Sequence, residues 1–238
     1  MDKYNSVLSH LKQIKEETVI SCFVPSFARE MKFKPMSVAQ QQNLIKNISN
    51  EMTGSLKILN SINDLVQTNC TEDVDLCVVD RESILLQYRM HDFSISEEEH
   101  SKIAEAIDAI KQINSLETEK TLQAYGITIN CRAPSLRYDS IINAAAIKAI
   151  ESSNSKQQQD IIPLIFTYQI IKYISSINIS NDVNVSFEDA KDLPNLITIV
   201  DNIPVDLNNG VIAFANSIQT LFAQVLKDKN IALQTPTL

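Results

Sequence analysis

The chain has 238 residues, enough for one large domain or two small ones, and its 44% hydrophobic and 21% charged residues exclude wholesale disorder. Its three glycines, Gly54, Gly126 and Gly210, are too scattered to build a phosphate-cradling loop, which excludes Rossmann and Walker-type nucleotide binding. A net charge of −8 sets the surface against phosphate backbones, so no nucleic-acid partner is expected.

Residues 4–17 place Val7, Leu8, Leu11 and Ile14 at helical spacing, which predicts an amphipathic first helix. β-Branched and aromatic residues follow at Val19, Ile20, Cys22, Phe23 and Val24 until Pro25, and Met31 to Lys34 alternates apolar with basic before Pro35. These stretches read as two short strands about the Pro25–Arg29 turn, as in a hairpin. Ser37 and Gln40 form a capping box ahead of Val38, Leu44, Ile45 and Ile48, and a further helix after Gly54 carries Leu56, Leu59, Ile62, Leu65 and Val66. The acidic stretch Glu72–Asp75 reads as a loop. Asp80 is expected to cap a short helix bearing Ile84, Leu85, Tyr88 and Arg89. Ser96 and Glu99 form a second capping box, opening a solvent-facing or partner-facing helix with Ile103, Ala106, Ile107, Ile110 and Ile113.

Tyr125–Cys131 alternates around Gly126 and predicts a strand or strand pair ending at Pro134. Beyond it the chain reads as helical: Asn143–Ile150, a polar joint near 152–159, the apolar Ile161–Ile177, a turn from Ser186 to Lys191, and Leu196–Asp201. A last helix from Asp206 carries Val211, Phe214, Ala215, Ile218, Leu221, Phe222 and Val225, and Ile231–Leu238 reads as an extended tail. The fold class is therefore α+β, predominantly helical, with a few short strands at about 18–34 and 125–132, in a single domain over 1–238.

Cys22, Cys70, Cys77 and Cys131 have no CxxC spacing, and His10, His91 and His100 pair with none of them. His91–Asp92 beside Arg89 has the residue types of an acid/base pair, but neighbouring helical side chains point apart. Glu97–Glu99 complement the positive end of a helix dipole, and Cys131 reads as a core thiol. No catalytic, cofactor-binding or metal-binding residue is expected, and an enzyme is not the reading. Arg29, Lys32 and Lys34 make the densest basic cluster. Within it Met31 and Phe33 face opposite Lys32 and Lys34, giving either a candidate edge for an acidic partner or an internal hairpin strand. Phe214, Ile218, Leu221 and Phe222 form a wide apolar face that serves core or interface. Arg89, at the end of an apolar helix, reads as a structural clamp for a carboxylate, with Asp80, Asp92 and Glu97–Glu99 the candidates. The apolar stretches are too short to span a bilayer and no secretory apolar region follows Met1, so the expectation is a protein made in the cytoplasm with reduced cysteines and no membrane partner.

Read together, four segments resemble the baseplate hub subunit family of T4-like contractile-tail phages. Val24-Pro25-Ser26, then Met31-Lys32-Phe33-Lys34-Pro35-Met36-Ser37-Val38 and a Gln/Lys-rich helix, are similar to its N-terminal signature. Asp80 through Ile84-Leu85-Leu86-Gln87-Tyr88-Arg89 to Ser94 resembles its aspartate-started apolar helix ending in arginine. Gly126-Ile127-Thr128-Ile129-Asn130 with Pro134 resembles its middle strand, and Leu196 to Pro204, followed by Ile212 and Phe214, its late helix–proline–helix segment. The order and spacing run over most of residues 18–226 and leave the helix at 4–17 outside; Ser94 is followed by Ile95 where the family has glycine, and no metal site carries over without CxxC. The resemblance implies a non-enzymatic structural subunit or assembly factor of the hub, made in the host cytoplasm and sited in the tail baseplate if retained in the virion. Its partners would be other baseplate or tail subunits, with self-association open. A tail-assembly chaperone that leaves before the virion is finished, and a helical adaptor for a host protein, are the alternatives.

Overall fold

The computed structural model describes residues 2–47, 53–92, 94–113, 116–153, 158–179, 183–187, 191 and 193–231. Among these the chain runs α1 (Asp2–Glu17), β1 (Ile20–Val24), β2 (Arg29–Phe33), α2 (Val38–Lys46), α3 (Gly54–Asn69), α4 (Asp80–Met90) and α5 (Glu97–Lys111). It continues through β3 (Glu119–Ala124), β4 (Ile127–Arg132), α6 (Leu136–Ser152), α7 (Gln158–Ile171), β5 (Ile174–Ile179), β6 (Val183–Ser186), α8 (Leu193–Asp201), α9 (Val205–Gln219) and α10 (Ala223–Asp228). The fold is α+β and mostly helical, with a two-stranded and a four-stranded antiparallel sheet. Among the described residues no helix is long and apolar enough to cross a membrane.

β1 and β2 form the expected hairpin, paired from Ile20↔Phe33 to Val24↔Arg29 around a single 3-10 turn at Pro25–Phe27. Strand alternation turns Cys22, Val24, Met31 and Phe33 into the core, each no more than 1% exposed. Other parts of the chain bond to both edges of the hairpin. The Lys34 amide donates to the Asn69 carbonyl at 2.7 Å and the Thr71 amide to the Lys32 carbonyl at 3.0 Å, closing β2. On β1, the Phe23 amide donates to Gln87 Oε1 at 2.6 Å and Gln87 Nε2 donates to the Phe23 carbonyl at 3.0 Å. Within Met31–Lys34 the apolar Met31 and Phe33 are core, and the Lys32 and Lys34 side chains turn outward, so of the expected edge only the basic face lies toward the surface.

The helical stripes follow from their spacing. Ser37 and Gln40 make the reciprocal capping box, the Gln40 amide donating to Ser37 Oγ at 3.3 Å and the Ser37 amide to Gln40 Oε1 at 2.9 Å. α3 buries Leu56, Leu59, Ile62, Leu65 and Val66, the residues its period selects. Ile48 lies outside the described residues. The second capping box is only half made. Ser96 Oγ accepts the Glu99 amide, but the Glu99 side chain turns away to Arg89. Asp80 does not cap α4 either: Val79 holds that position, and Asp80 is the first helical residue with its carboxylate turned inward.

The four-stranded sheet departs most from expectation. Its order is β3-β4-β5-β6, and the helical hairpin α6–α7 is inserted between the two central strands. Tyr125 and Gly126 are not strand residues but the two-residue turn between β3 and β4, with φ of 56° and 74°. Ile161–Ile177 is not one helix: α7 ends at Ile171 and the chain re-extends as β5. The expected single last helix is two, α9 and α10, so its apolar face divides. Phe214 and Ile218 enter the main core, Phe222 and Leu226 join Leu86, Ile103, Ile107 and Ile110 in a smaller core between α4, α5 and α10, and Leu221 is half-buried against both. These four residues therefore belong to the chain's own cores and not to a free interface. Ser186 closes β6, and the turn expected beyond it at 188–190, the joint at 154–157 and the tail from 232 lie outside the described residues.

The turn gives a direct test. A methyl group at position 126 meets nothing within 4 Å, so Gly126→Ala adds no clash and no contact, only the cost of holding a side chain at positive φ. That cost is about 1 kcal/mol, and thermal melting should fall by about 2–4 °C.

Candidate functional site

Buried polar groups are costly unless they are paired, and this chain holds two networks of them. Asp139 on α6 is 1% exposed and lies amid Leu136, Ile142 and Ala146. Lys172 Nζ, 3% exposed at the corner between α7 and β5, sits 2.7 Å from Asp139 Oδ1. The other carboxylate oxygen accepts Asn63 Nδ2 of α3 at 2.7 Å and Asn143 Nδ2 at 3.2 Å. Arg81 of α4 stands 3.5 Å from that oxygen and donates to Asn63 Oδ1 at 3.1 Å. Burial alone would raise the Asp139 carboxyl, but Lys172 and then Arg81, with the amide donors, outweigh it and hold it below the usual carboxylate range. Every oxygen of Asp139 is engaged and the lysine ammonium is spent on it. The arrangement ties helices together and leaves no nucleophile or base free to meet a substrate.

A second buried carboxylate locks the hairpin. Asp80 accepts the Ser26 amide at 2.8 Å, Ser26 Oγ at 2.7 Å and the Cys77 amide at 2.8 Å. Burial pushes its carboxyl up and the three donors pull against that. Burial acts on the thiols in the same direction, raising Cys22 and Cys77 to about 12 and Cys131 to about 11 and pushing the half-buried Cys70 up as well, which favours the protonated form of each at neutral pH. Among the described residues no group of three or more His, Cys, Asp and Glu side chains is placed to hold a metal ion.

An open groove of about 360 Å³ lies between the hairpin and α4–α5, lined by Ser21, Glu30, Gln87, His91, Asp108 and Lys111 among others. Its charges are partly consumed within the chain. Lys111 Nζ is 2.9 Å from Glu30 Oε1 and 5.8 Å above the Phe23 ring, and Ser21 Oγ donates to Glu30 Oε2 at 3.1 Å. The basic cluster at the hairpin is also neutralised in part, because Arg29 donates to Glu72 from both terminal guanidinium nitrogens, at 3.1 and 2.6 Å. Arg89, the expected clamp, pairs with Glu99 and fastens the end of α4 to the start of α5. Asp92 is instead held by Ser94, and Asp80 lies at the opposite end of the helix.

The surface that stands apart is α1. Tyr4, Val7, Leu8, Leu11 and Ile14 are 80%, 58%, 55%, 56% and 46% exposed, and none of them belongs to either core. The stripe was legible in the sequence; that no element among the described residues covers it was not. The Asp139 network was missed because its members are far apart in the chain, although one lysine inside the apolar run Ile161–Ile177 is a local sign of a buried partner. The chain was compared with protein-family models, with curated proteins and with solved structures, and none of them matches.

Two outcomes follow. Lys172→Met leaves the Asp139 carboxylate buried with Arg81 as its remaining cation and should cost about 3–5 kcal/mol in denaturant unfolding. Because the folded carboxyl titrates below its unfolded value, its contribution is complete above about pH 4 and is lost as pH falls through the folded value; Asp139→Asn should be destabilised at neutral pH and should lack this component of acid unfolding. Arg89 and Glu99 are 40% and 34% exposed, so Arg89→Ala should cost about 1 kcal/mol or less, read in the same denaturation experiment.

Proposed function

We propose that this chain acts by protein–protein contact, without catalysis, as a structural subunit or assembly factor of the baseplate hub of a contractile phage tail. The observation that carries the reading is α1, a helix whose apolar stripe has no cover among the described residues. Leaving five large apolar side chains in water is unfavourable for a solitary protein and is explained when a partner completes the face. Buried carboxylates that are fully engaged, and thiols held protonated, support a role in binding over one in chemistry. The particular assembly comes from the resemblance of residues 18–226 to the hub family, and in this reading the partners are other baseplate or tail subunits.

Mass spectrometry of purified particles, combined with deletion of the gene, tests it. The expected result is that deletion stops tail assembly and that the chain is found at stoichiometric amount in complete tails if it is a subunit, or is absent from them if it is an assembly factor. Normal yields of contractile tails without the gene would overturn the reading.

A further inference from the structure

We infer that α1 pairs with α1 of a second copy of this chain as a short antiparallel two-stranded coiled coil. The inference rests on the reading of α1 as a docking face and names what covers it. Tyr4, Val7, Leu11 and Ile14 are separated by three, four and three residues, so they fall at a, d, a and d of a heptad, and Leu8 widens the seam at e. Steps of three and four residues are common to a surface helix and to a coiled-coil seam, so the spacing admits a helical partner and the flanking charges select it.

The flanking charges choose the partner and its direction. Lys3 and Glu17 both occupy g positions, at opposite ends of the helix. In an antiparallel pair g lies beside g, so Lys3 meets Glu17 of the second copy and Glu17 meets its Lys3. The core layers then set Tyr4 on Ile14 and Val7 on Leu11, each twice, as a two-fold axis requires. In a parallel pair Lys3 would face Leu8, and the position opposite Glu17 would be 22, which lies in β1 beyond the helix. Only the antiparallel arrangement uses both charges. Sixteen residues span about 24 Å, and so short a seam buries less than the roughly 1,200 Å² of a standard interface, so the association should be in the micromolar range.

Sedimentation equilibrium of the full chain from about 1 to 500 µM tests this. The expected result is a monomer–dimer equilibrium that Leu11→Asp weakens by about tenfold or more, with thermal melting at low concentration unchanged because Leu11 is solvent-exposed in the monomer. Lys3→Glu and Glu17→Lys should each weaken the dimer by about fivefold at low salt. An equimolar mixture of those two variants, or both changes in one chain, should restore it, since either combination again sets opposite charges face to face. A dimer indifferent to Leu11→Asp, or to the charge exchanges, overturns the inference. A chain that stays monomeric throughout while Leu11→Asp abolishes tail assembly also overturns it, and shows that a hub subunit covers α1. If the dimer behaves as expected but tails assemble without the gene, the pairing stands and the hub function falls.

Discussion

A single carboxylate gathers the helical half of this protein. Asp139 on α6 is bound to Asn63 of α3 and to Lys172 at the end of α7, with Arg81 of α4 alongside. A carboxylate taken out of water costs several kcal/mol unless its oxygens are met by well-placed donors, so the helices that bring those donors are not free to slide. An apolar contact tolerates small shifts; a bond of 2.7 Å from a lysine to a buried oxygen does not. Lys172 has the widest consequence. It lies between the last residue of α7, Ile171, and the first of β5, Ile174, so its tie to α6 fixes where the chain turns from helix into the central sheet.

The hairpin is positioned by a second polar lock of the same kind. Asp80 holds the Pro25–Phe27 turn through Ser26, and Gln87, one face along the same helix, satisfies both backbone groups of Phe23. α4 therefore serves as the spine between the two halves: Asp80 and Gln87 reach the hairpin, Arg81 reaches the Asp139 network, and Arg89 reaches α5. The main core runs through the same elements, from Ile20 and Phe33 of the hairpin to Ile142 of α6 and Phe214 of α9. Apolar burial supplies the cohesion, and the buried polar groups select one arrangement of it.

What could be read from the sequence was what depends on near neighbours. The stripes of α1, α3 and α5, the capping box at Ser37 and the alternation of β1 and β2 are fixed by residues within a few positions of one another, so spacing exposes them. β3 was not legible because Glu119–Ala124 is an exposed edge strand with polar residues on both faces, and its identity comes from pairing with β4. β5 was hidden because it follows α7 in one apolar run whose composition suits either state; its pairing with β4 decides the matter across the inserted helices. The polar network was out of reach for the same reason, since Asn63 and Asp139 lie 76 residues apart. Arg89 is an intermediate case. Its place at a helix end announced a carboxylate partner, and only the fold picks out Glu99 from among the neighbouring acids.

The contrast between the body and α1 follows from the same physics. In the body each buried charge among the described residues is answered by another group of the chain, and Asn69, Thr71 and Gln87 bond to the two edges of the hairpin. α1 has a formed helix and a continuous apolar seam with nothing among the described residues laid across it. Its C-terminal end leads through Thr18 and Val19 directly into β1, so the orientation of any helix pair decides where two bodies stand. A parallel pair would bring both β1–β2 hairpins to the same end, where two strongly acidic bodies of charge −8 would crowd each other. An antiparallel pair sends the bodies to opposite ends of a rod about 24 Å long and lets the net repulsion oppose association less. The overall charge and the local placement of Lys3 and Glu17 thus favour the same geometry, one in which the surfaces of both bodies stay clear of each other.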